Sequence, residues 1–349
     1  MHDVIIVGAG VAGPYLASLL PEFDVILLEK ERKITIKDSG IVSKKFREFV
    51  NDRRVIKDRI SCMELVSANR KIVVEKDFSY LLERKKFSHF LRKLKKPRYE
   101  KAEKVEIVDE GVLVTTDKGC HEAQLVVGAD GANSLVRREL GIRDPELFLG
   151  MLVKTKKKIK KNISVYFNKY YSPEFFSWIV PKNEYGLITN IRPREYLQYF
   201  KDSMGLPGGR IYAAQIPIGY TKSFSNRALL VGDSCGQVKP VTGGGIVFSL
   251  TAARHAADTI RNAFARQRFD RQVLGKYEDA WKKDFGFEIR KQLWLRKLYR
   301  KLTNKDIDDF FDCVKDVPDF DYDHLTDAFW RMPKRKLIGF AAKRVPAVI

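Results

Sequence analysis

The stretch Asp3–Glu29, DVIIVGAGVAGPYLASLLPEFDVILLE, decides the fold. Val4–Val7 is a short, wholly apolar run, as expected of a parallel strand buried on both faces. Gly8, Gly10 and Gly13 follow at the GxGxxG spacing, and helical residues continue to Leu20 before Pro21-Glu22-Phe23-Asp24 interrupts them. Val25–Leu28 is a second buried strand, and Glu29 stands at its end. Gly8 permits the tight turn, Gly10 lets backbone approach a pyrophosphate, and Gly13 allows close helix–strand packing. Pro14 is tolerated just inside the helix, where its missing N–H would have no helical partner. A carboxylate at Glu29, 21 residues after Gly8, is placed to accept hydrogen bonds from both hydroxyls of an unphosphorylated ribose. The unit therefore predicts dinucleotide binding. Although residues 4–20 are apolar, only Met1, His2 and Asp3 precede them, so the cationic start of a signal peptide is missing.

Two further strand–turn–helix passages extend the pattern. Leu125-Val-Val-Gly128-Ala-Asp130-Gly131-Ala-Asn-Ser134-Leu-Val-Arg137 is a buried strand, an acidic turn and a capped helix. Ala228–Val231, Gly232-Asp233 and Pro240-Val-Thr-Gly243-Gly244-Gly245-Ile246 repeat the theme and lead into a long helix. Asp233, at a strand end, suits a polyol such as ribitol. The helix start at Gly243–Ile246 offers N–H groups and positive potential to the pyrimidine edge of a flavin.

Between these passages, residues 44–58 read as helix, 60–75 as strand and 80–94 as helix by its apolar period. A hairpin is expected over 105–114, turning at Asp109-Glu110-Gly111. From 146 to 221 the pattern changes to strands broken by Pro, Gly and Asn, which predicts an antiparallel sheet. Residues 271–349 read as mostly helical. The organisation expected is a discontinuous dinucleotide-binding domain (1–60, 76–145 and 222–270), a substrate domain (61–75 and 146–221) and a C-terminal helical region. Lys154–Lys161, with six lysines in eight residues, reads as an exposed strand.

Taken together, GAGVAG, VVGADGANSLVR and LLVGDSCGQVKPVTGGGI resemble the three fingerprints of the FAD-dependent oxidoreductases related to p-hydroxybenzoate hydroxylase. Within that superfamily the chain is similar to the geranylgeranyl reductase family. Two passages favour it: GQVKPVTGGGI, and Phe176-Ser-Trp178-Ile-Val180-Pro181-Lys182, which looks like that family's aromatic-x-Trp-x-Phe-Pro signature. The resemblance implies an α/β fold, with a Rossmann-like FAD domain and an antiparallel substrate sheet. It implies FAD contacts from Gly8, Gly10, Ala12, Gly13, Glu29 and Lys30, and from Ser39, Gly40, Arg84, Val105 and Asp130. Asp233, Pro240, Gly243, Gly244, Gly245 and Ile246 complete the cofactor set, and Phe176, Trp178 and Pro181 form the substrate set. The activity implied is saturation of carbon–carbon double bonds in a prenyl chain. No side chain identifies itself as the proton donor. An aromatic monooxygenase on the same scaffold is the alternative, and a non-catalytic flavin-fold binding protein a more remote one. Two departures from the family stand out: Val180 replaces the signature's second aromatic, and Asp38-Ser39-Gly40-Ile41 lacks the family's loop cysteine.

Composition bounds the partners. The chain has 349 residues, 65 Lys+Arg against 44 Asp+Glu, and a formal charge of +21. A hydrophobic share of 44% excludes a disordered chain. Cys62, Cys120, Cys235 and Cys313 lie far apart, with no CxxC pair and no HxH spacing nearby, which excludes a disulfide framework or zinc site and points to a cytoplasmic setting. No basic–aromatic nucleic-acid motif is present. The positive charge fits an anionic lipid headgroup, peripheral contact with a membrane face, or an acidic, ferredoxin-like electron donor; transient NAD(P)H contact is the other source of electrons. Ile289–Leu302, IRKQLWLRKLYRKL, is a basic amphipathic helix that suits either an anionic lipid surface or packing on the dinucleotide domain.

Overall fold

In the computed structural model, residues 1–159, 162–181 and 183–314 are described, apart from the side chains of 76–78. The chain opens with β1 (His2–Val7), α1 (Ala12–Ser18) and β2 (Val25–Leu28). Then come β3 (Ile41–Ser43), β4 (Ile56–Val66), β5 (Lys71–Leu82) and α2 (Arg84–Leu94). A meander of β6 (Ala102–Val108), β7 (Gly111–Thr116) and β8 (Gly119–Gly128) leads to α3 (Leu135–Glu139). Next are β9 (Glu146–Lys154), β10 (Ile163–Tyr166), β11 (Ser177–Val180), β12 (Glu184–Ile188), α4 (Pro193–Ser203) and β13 (Arg210–Ile218). The described chain ends with β14 (Phe224–Ser225), β15 (Ala228–Leu230), α5 (Ile246–Ala265), α6 (Arg271–Trp281), α7 (Phe287–Lys301) and α8 (Asn304–Val314).

Two sheets result. In the first, β2, β1, β8 and β15 run parallel in that spatial order, with β14 on one edge and the β6–β7 meander joined to the start of β8. Burial on both faces explains the unbroken apolar runs. Val4, Ile6, Val25, Leu27, Leu125 and Val127 face a core with α1, α2, α5 and α6. Their alternates Ile5, Val7, Ile26, Leu28 and Val126 face the β6–β7 meander and α3.

The second sheet has eight strands in the order β13-β9-β12-β11-β10-β4-β5-β3. Its pairings are antiparallel except for β4–β10, which is parallel with Met63 opposite Ile163. It takes in Ile41–Ser43 and Ile56–Leu82, segments wider than the 61–75 span read from the sequence. The α/β class and its two-sheet architecture are as expected, and helices fill the C-terminal region as far as Val314. The part of that region from 315 to 349 lies outside the described residues.

Several local readings are corrected. Residues 44–58 form two short 3-10 turns, Lys44–Glu48 and Arg53–Val55, rather than a helix. Asp52 accepts the Arg54 N–H at 2.9 Å and closes the second turn, and β4 begins at Ile56. Tyr80–Leu82 belongs to β5, because pairing Leu81 with Ile41 and Leu82 with Ile56 satisfies its backbone; the helix starts only at Arg84. Helix α4, unforeseen, starts with Pro193 in its first turn and buries Leu197 and Phe200. Residues 155–159 leave β9 in bends, not a strand, and 160–161 lie outside the described residues.

Candidate cofactor and substrate site

The three glycines of the first turn have different physical duties. Gly8 adopts φ +103°, and a Cβ there would sit 2.4 Å from the Ala129 carbonyl oxygen. A Cβ on Gly13 would sit 2.0 Å from the Gly8 carbonyl oxygen. Gly10 has no atom within 4 Å of its would-be Cβ and faces a cavity together with Ala12. The outer two glycines thus shape the turn, while the middle one leaves room for a ligand. No side chain caps the start of α1, so its first N–H groups stay open.

Glu29 is more occupied than its position alone suggests. Its carboxylate accepts from Ala9 N at 2.9 Å and Glu31 N at 3.0 Å, with Arg92 at 3.7 Å. Each oxygen retains a lone pair for a further donor. Lys30 is exposed.

The loop ahead of β3 carries Ser39 and Gly40, both on the cavity wall. Gly40 takes φ +70°, and a Cβ there would meet Arg84 Cγ at 2.5 Å. Arg84 donates from Nε and Nη2 to the two oxygens of Asp38, at 2.6 and 2.9 Å. Its third nitrogen, Nη1, is buried with no hydrogen-bond partner among the described residues. Burial works against the Asp38 charge, but the Arg84 guanidinium, aided by Lys154, holds its carboxyl below the usual range. Asp38 was not singled out from the sequence.

Asp130 is turned inward. It accepts from Ser134 Oγ at 2.6 Å and Leu135 N at 2.7 Å, which starts α3. Its neighbours Ala129 and Gly131 line the cavity instead. The Val105 side chain lies in the core beneath the parallel sheet, away from the cavity wall. Fully buried Arg137 donates to the Ser234 and Ala132 carbonyls, at 2.6 and 2.8 Å, and so ties the two acidic turns together.

Asp233 is the opposite case. It lines the cavity, with Oδ1 3.0 Å from where a Cβ on Gly245 would be. Burial, and then the nearby Asp38 charge, raise its carboxyl to about 6. Gly243, Gly244, Gly245 and Ile246 line the same cavity at the start of α5, whose N terminus has no side-chain cap. Pro240 is buried behind them. Gln237 holds the loop in place, accepting from Gly232 N at 2.7 Å and donating to Tyr277 Oη at 2.9 Å.

Of these groups, Gly10, Ala12, Asp38, Ser39, Gly40, Arg84, Asp233, Gly243, Gly244, Gly245 and Ile246 open on one cavity of about 700 Å³, whereas Glu29, Lys30, Val105, Asp130 and Pro240 are not on its wall. It leaves the glycine turns and runs along the second sheet past Met63, Val165, Phe176 and Trp178. Leu295 and Leu298 of α7, Leu302 just after it and Phe311 of α8 form a further wall. Phe176 and Trp178 stand edge to face at 5.9 Å. Pro181 and Val180 instead line a separate side pocket of about 410 Å³ that shares Asp38, Ser39 and Arg84 with the main cavity. The α7 stretch therefore packs inward: Ile289 is fully buried, and Leu298 and Leu302 meet the cavity. Phe287 and Trp294 are its exposed apolar residues. Arg296 and Tyr299, also on the cavity wall, were missed; Arg296 follows the buried Ile289 by seven residues, about two turns, and so shares its side of α7.

A parallel sheet with a glycine turn at its first strand and an acid at its second is a dinucleotide-binding fold, joined here to an apolar cavity. Comparison with known proteins shows what the chain is similar to. No protein-family model matches the chain. Digeranylgeranylglycerophospholipid reductase 1 of Methanococcoides burtonii is 27% identical, over 90% of this chain and 88% of that protein. Digeranylgeranylglycerophospholipid reductase 2 of Methanothermobacter thermautotrophicus is 26% identical, over 88% and 90%. In solved structures, the geranylgeranyl bacteriochlorophyll reductase-like protein of Thermoplasma acidophilum superposes with a TM-score of 0.83 at 19% identity, covering 99% of this chain and 97% of that one. PqsL of Pseudomonas aeruginosa, a probable FAD-dependent monooxygenase, shares the fold at a TM-score of 0.66 and 17% identity, over 89% and 99%. The resemblance to the geranylgeranyl reductase family of FAD-dependent oxidoreductases is thereby borne out. Among the described residues, no helix is long and apolar enough to cross a membrane.

Proposed function

We propose that the protein is an FAD-dependent reductase that saturates carbon–carbon double bonds in the prenyl chain of a lipid or other isoprenoid. The observation that carries this reading is the single cavity joining the glycine turns to an apolar channel closed by α7 and α8. Such a channel accepts a long hydrocarbon and excludes water from the reacting bond. The names of the relatives support the same substrate class.

The residues fit the cofactor. The space left at Gly10 and the open N–H groups of α1 suit a pyrophosphate. The spare lone pairs of Glu29 suit ribose hydroxyls, and the carboxylate of Asp233 suits the hydroxyls of a ribityl chain. The N terminus of α5, behind Gly243–Gly245, places positive potential at the cavity's inner end. Bound and reduced, FAD would supply the hydride for one alkene carbon, and a proton would reach the other. The chain itself holds the prenyl group between Trp178, Phe176 and the α7 leucines, with the reacting bond near the α5 start.

The test is anaerobic incubation of the dithionite-reduced holoenzyme with geranylgeranyl lipids. A product mass gain of two per double bond is the expected outcome, and an unchanged mass with every prenyl substrate rejects the reading. A hydroxylated product that requires oxygen would instead assign the monooxygenase chemistry.

A further inference from the structure

Among the described residues, four cations reach the cavity wall: Lys37, Arg84, Lys239 and Arg296. Lys37 is exposed to solvent, Arg84 is held by the Asp38 carboxylate, and Arg296 packs on the rings of Phe148 and Phe175 along the channel. Lys239 differs from all three. It belongs to the turn that starts α5 and is only 4% exposed.

That turn is fastened on several sides, so the place of Lys239 is fixed. The Lys239 N–H donates to the Gly244 carbonyl at 3.0 Å, and its own carbonyl accepts from Gly243 N at 2.8 Å. Two residues on, Val241 N donates to Gln292 Oε1 of α7 at 3.1 Å, and Gln292 Nε2 donates to Glu288 Oε1 at 2.9 Å. Both of these α7 side chains are buried. The Lys239 stem runs beside the glycines: a Cβ on Gly244 would stand 3.4 Å from its Cε and 3.9 Å from its Nζ. The ammonium is also 5.9 Å from the ring centre of Phe248, which is itself stacked on Phe285 at 4.5 Å.

Electrostatics make this an unfavourable place for a cation. Lysine is seldom buried, because the ammonium gives up its hydration. A helix N terminus adds partial positive charge, so anions rather than cations are favoured beside it. The N terminus of α5 has no side-chain cap and no acidic residue in its first turn. Two positive sources therefore border the same end of the cavity, where three glycines leave backbone rather than side chain to face a ligand. Asp233, on the same wall, does not act as counter-ion to the lysine. A close ammonium would hold its carboxyl below the ordinary range, whereas burial and Asp38 raise it to about 6.

We propose that Lys239, together with the N terminus of α5, holds reduced FAD as its N1 anion and raises the potential at which the bound flavin is reduced. This rests on reading the α5 end of the cavity as the site of the flavin's pyrimidine edge. With two electrons and two protons FAD becomes the neutral dihydroflavin. With two electrons and one proton it stays an anion, whose charge lies over N1 and the C2 oxygen. A fixed ammonium at that edge favours the anion and leaves the second proton in solution.

The experiment is an anaerobic reductive titration of the full-length protein loaded with FAD, read as the two-electron potential from pH 6 to 8. Lys239→Met keeps the stem beside Gly244 and removes the charge, and Lys239→Arg keeps the charge. The native potential is expected to fall by about 30 mV per pH unit, as for one proton taken up with two electrons. Lys239→Met is expected to lie about 30–60 mV lower at pH 7.5, the two-electron equivalent of a 10- to 100-fold weaker hold on the anion. Lys239→Arg is expected to stay within about threefold of the native protein, or about 15 mV. Lys239→Gln is a second uncharged variant, read in place of Lys239→Met if that chain does not fold. A native slope of about 60 mV per pH unit, two protons for two electrons, overturns the proposal. So does a folded, FAD-loaded Lys239→Met with the native potential. Neither result touches the reductase reading, since no alkene takes part; a native chain that takes up no FAD rejects both.

Discussion

Replacing Asp233 by Asn should make the flavin-free protein more stable and the flavin-loaded protein weaker in cofactor binding, two effects of opposite sign from one atom change. The Asp233 carboxyl is raised from an ordinary 3.8 to about 6 by burial and by the Asp38 charge. Below pH 3.8 the folded and unfolded chains both hold the proton, so the group contributes no difference. Between about 4 and 6 the unfolded chain releases a proton that the folded chain keeps, and stability falls as pH rises. Above 6 the full penalty is present. At about 1.4 kcal/mol per pH unit the ceiling is about 3 kcal/mol. Because the carboxylate opens on a cavity that water can enter, about 1–2 kcal/mol is the better expectation. Urea denaturation of both flavin-free proteins from pH 4 to 8 should show Asp233→Asn ahead by that amount at pH 7.5, with the gap closing toward pH 4. Flavin affinity should fall about 10- to 100-fold, as for a lost charged hydrogen bond. A gap independent of pH, or none at pH 7.5, would refute the reasoning.

The same logic predicts that Asp38→Asn moves the Asp233 step to lower pH, since one charge opposing its ionisation is gone; an unmoved step in the denaturation profile counts against their coupling. The glycine turn offers a contrast. Gly8→Ala should cost about 3 kcal/mol or more, given its positive φ and the 2.4 Å clash with Ala129, whereas Gly10→Ala should leave stability within about 0.5 kcal/mol and weaken flavin binding. Melting curves paired with flavin titration check both. Val165→Trp, on the channel wall opposite Trp178 in the strand register, should abolish turnover of twenty-carbon chains while leaving flavin content unchanged. Loss of flavin in that variant would show that the two parts of the cavity are not separable. Finally, turnover with an anionic lipid or an acidic electron donor should fall as salt rises from 0.05 to 0.5 M, because long-range attraction to the basic chain is screened over about 10 Å near 0.1 M. Salt-independent turnover would leave the +21 charge without a part in encounter.

What could be read from the sequence followed the range of the interactions involved. The β1–α1–β2 unit was legible because its strands, turn and acid lie within 27 residues, and Gly13 answers a clash with the Gly8 carbonyl inside that unit. Asp233 and the Gly243–Ile246 turn were legible as local strand-end chemistry. Asp130 shows the limit: the sequence located an acidic turn but not that its oxygens would be taken up by Ser134 and Leu135. Tyr80–Leu82 carried a helical period yet became strand, since Ile41 and Ile56, far back in the chain, supply its pairing partners. The channel had a local signal only at Phe176 and Trp178. It is assembled from Met63, Val165, Trp178 and Leu298, whose approach depends on the whole topology. Arg296 looked like one more cation on a basic helix, and only burial against Phe175 distinguishes it.

The parallel sheet also sets a condition on how the molecule is made. Its four strands come from residues 4–7, 25–28, 125–128 and 228–230, so the 126–128 end of β8, beyond its pairing with β7, has no neighbour on one side until β15 exists. During synthesis the first βαβ unit emerges early, β8 follows roughly 100 residues later, and roughly 100 more are translated before β15. Through that interval the open edge of β8, with Val126 and Val127, presents unpaired backbone and bare apolar surface. Contacts of such long sequence separation make closure slow. A ribosome pause or truncation before residue 228 therefore leaves the chain with an open sheet edge and exposed to aggregation, whereas a cut beyond α5 leaves that sheet complete.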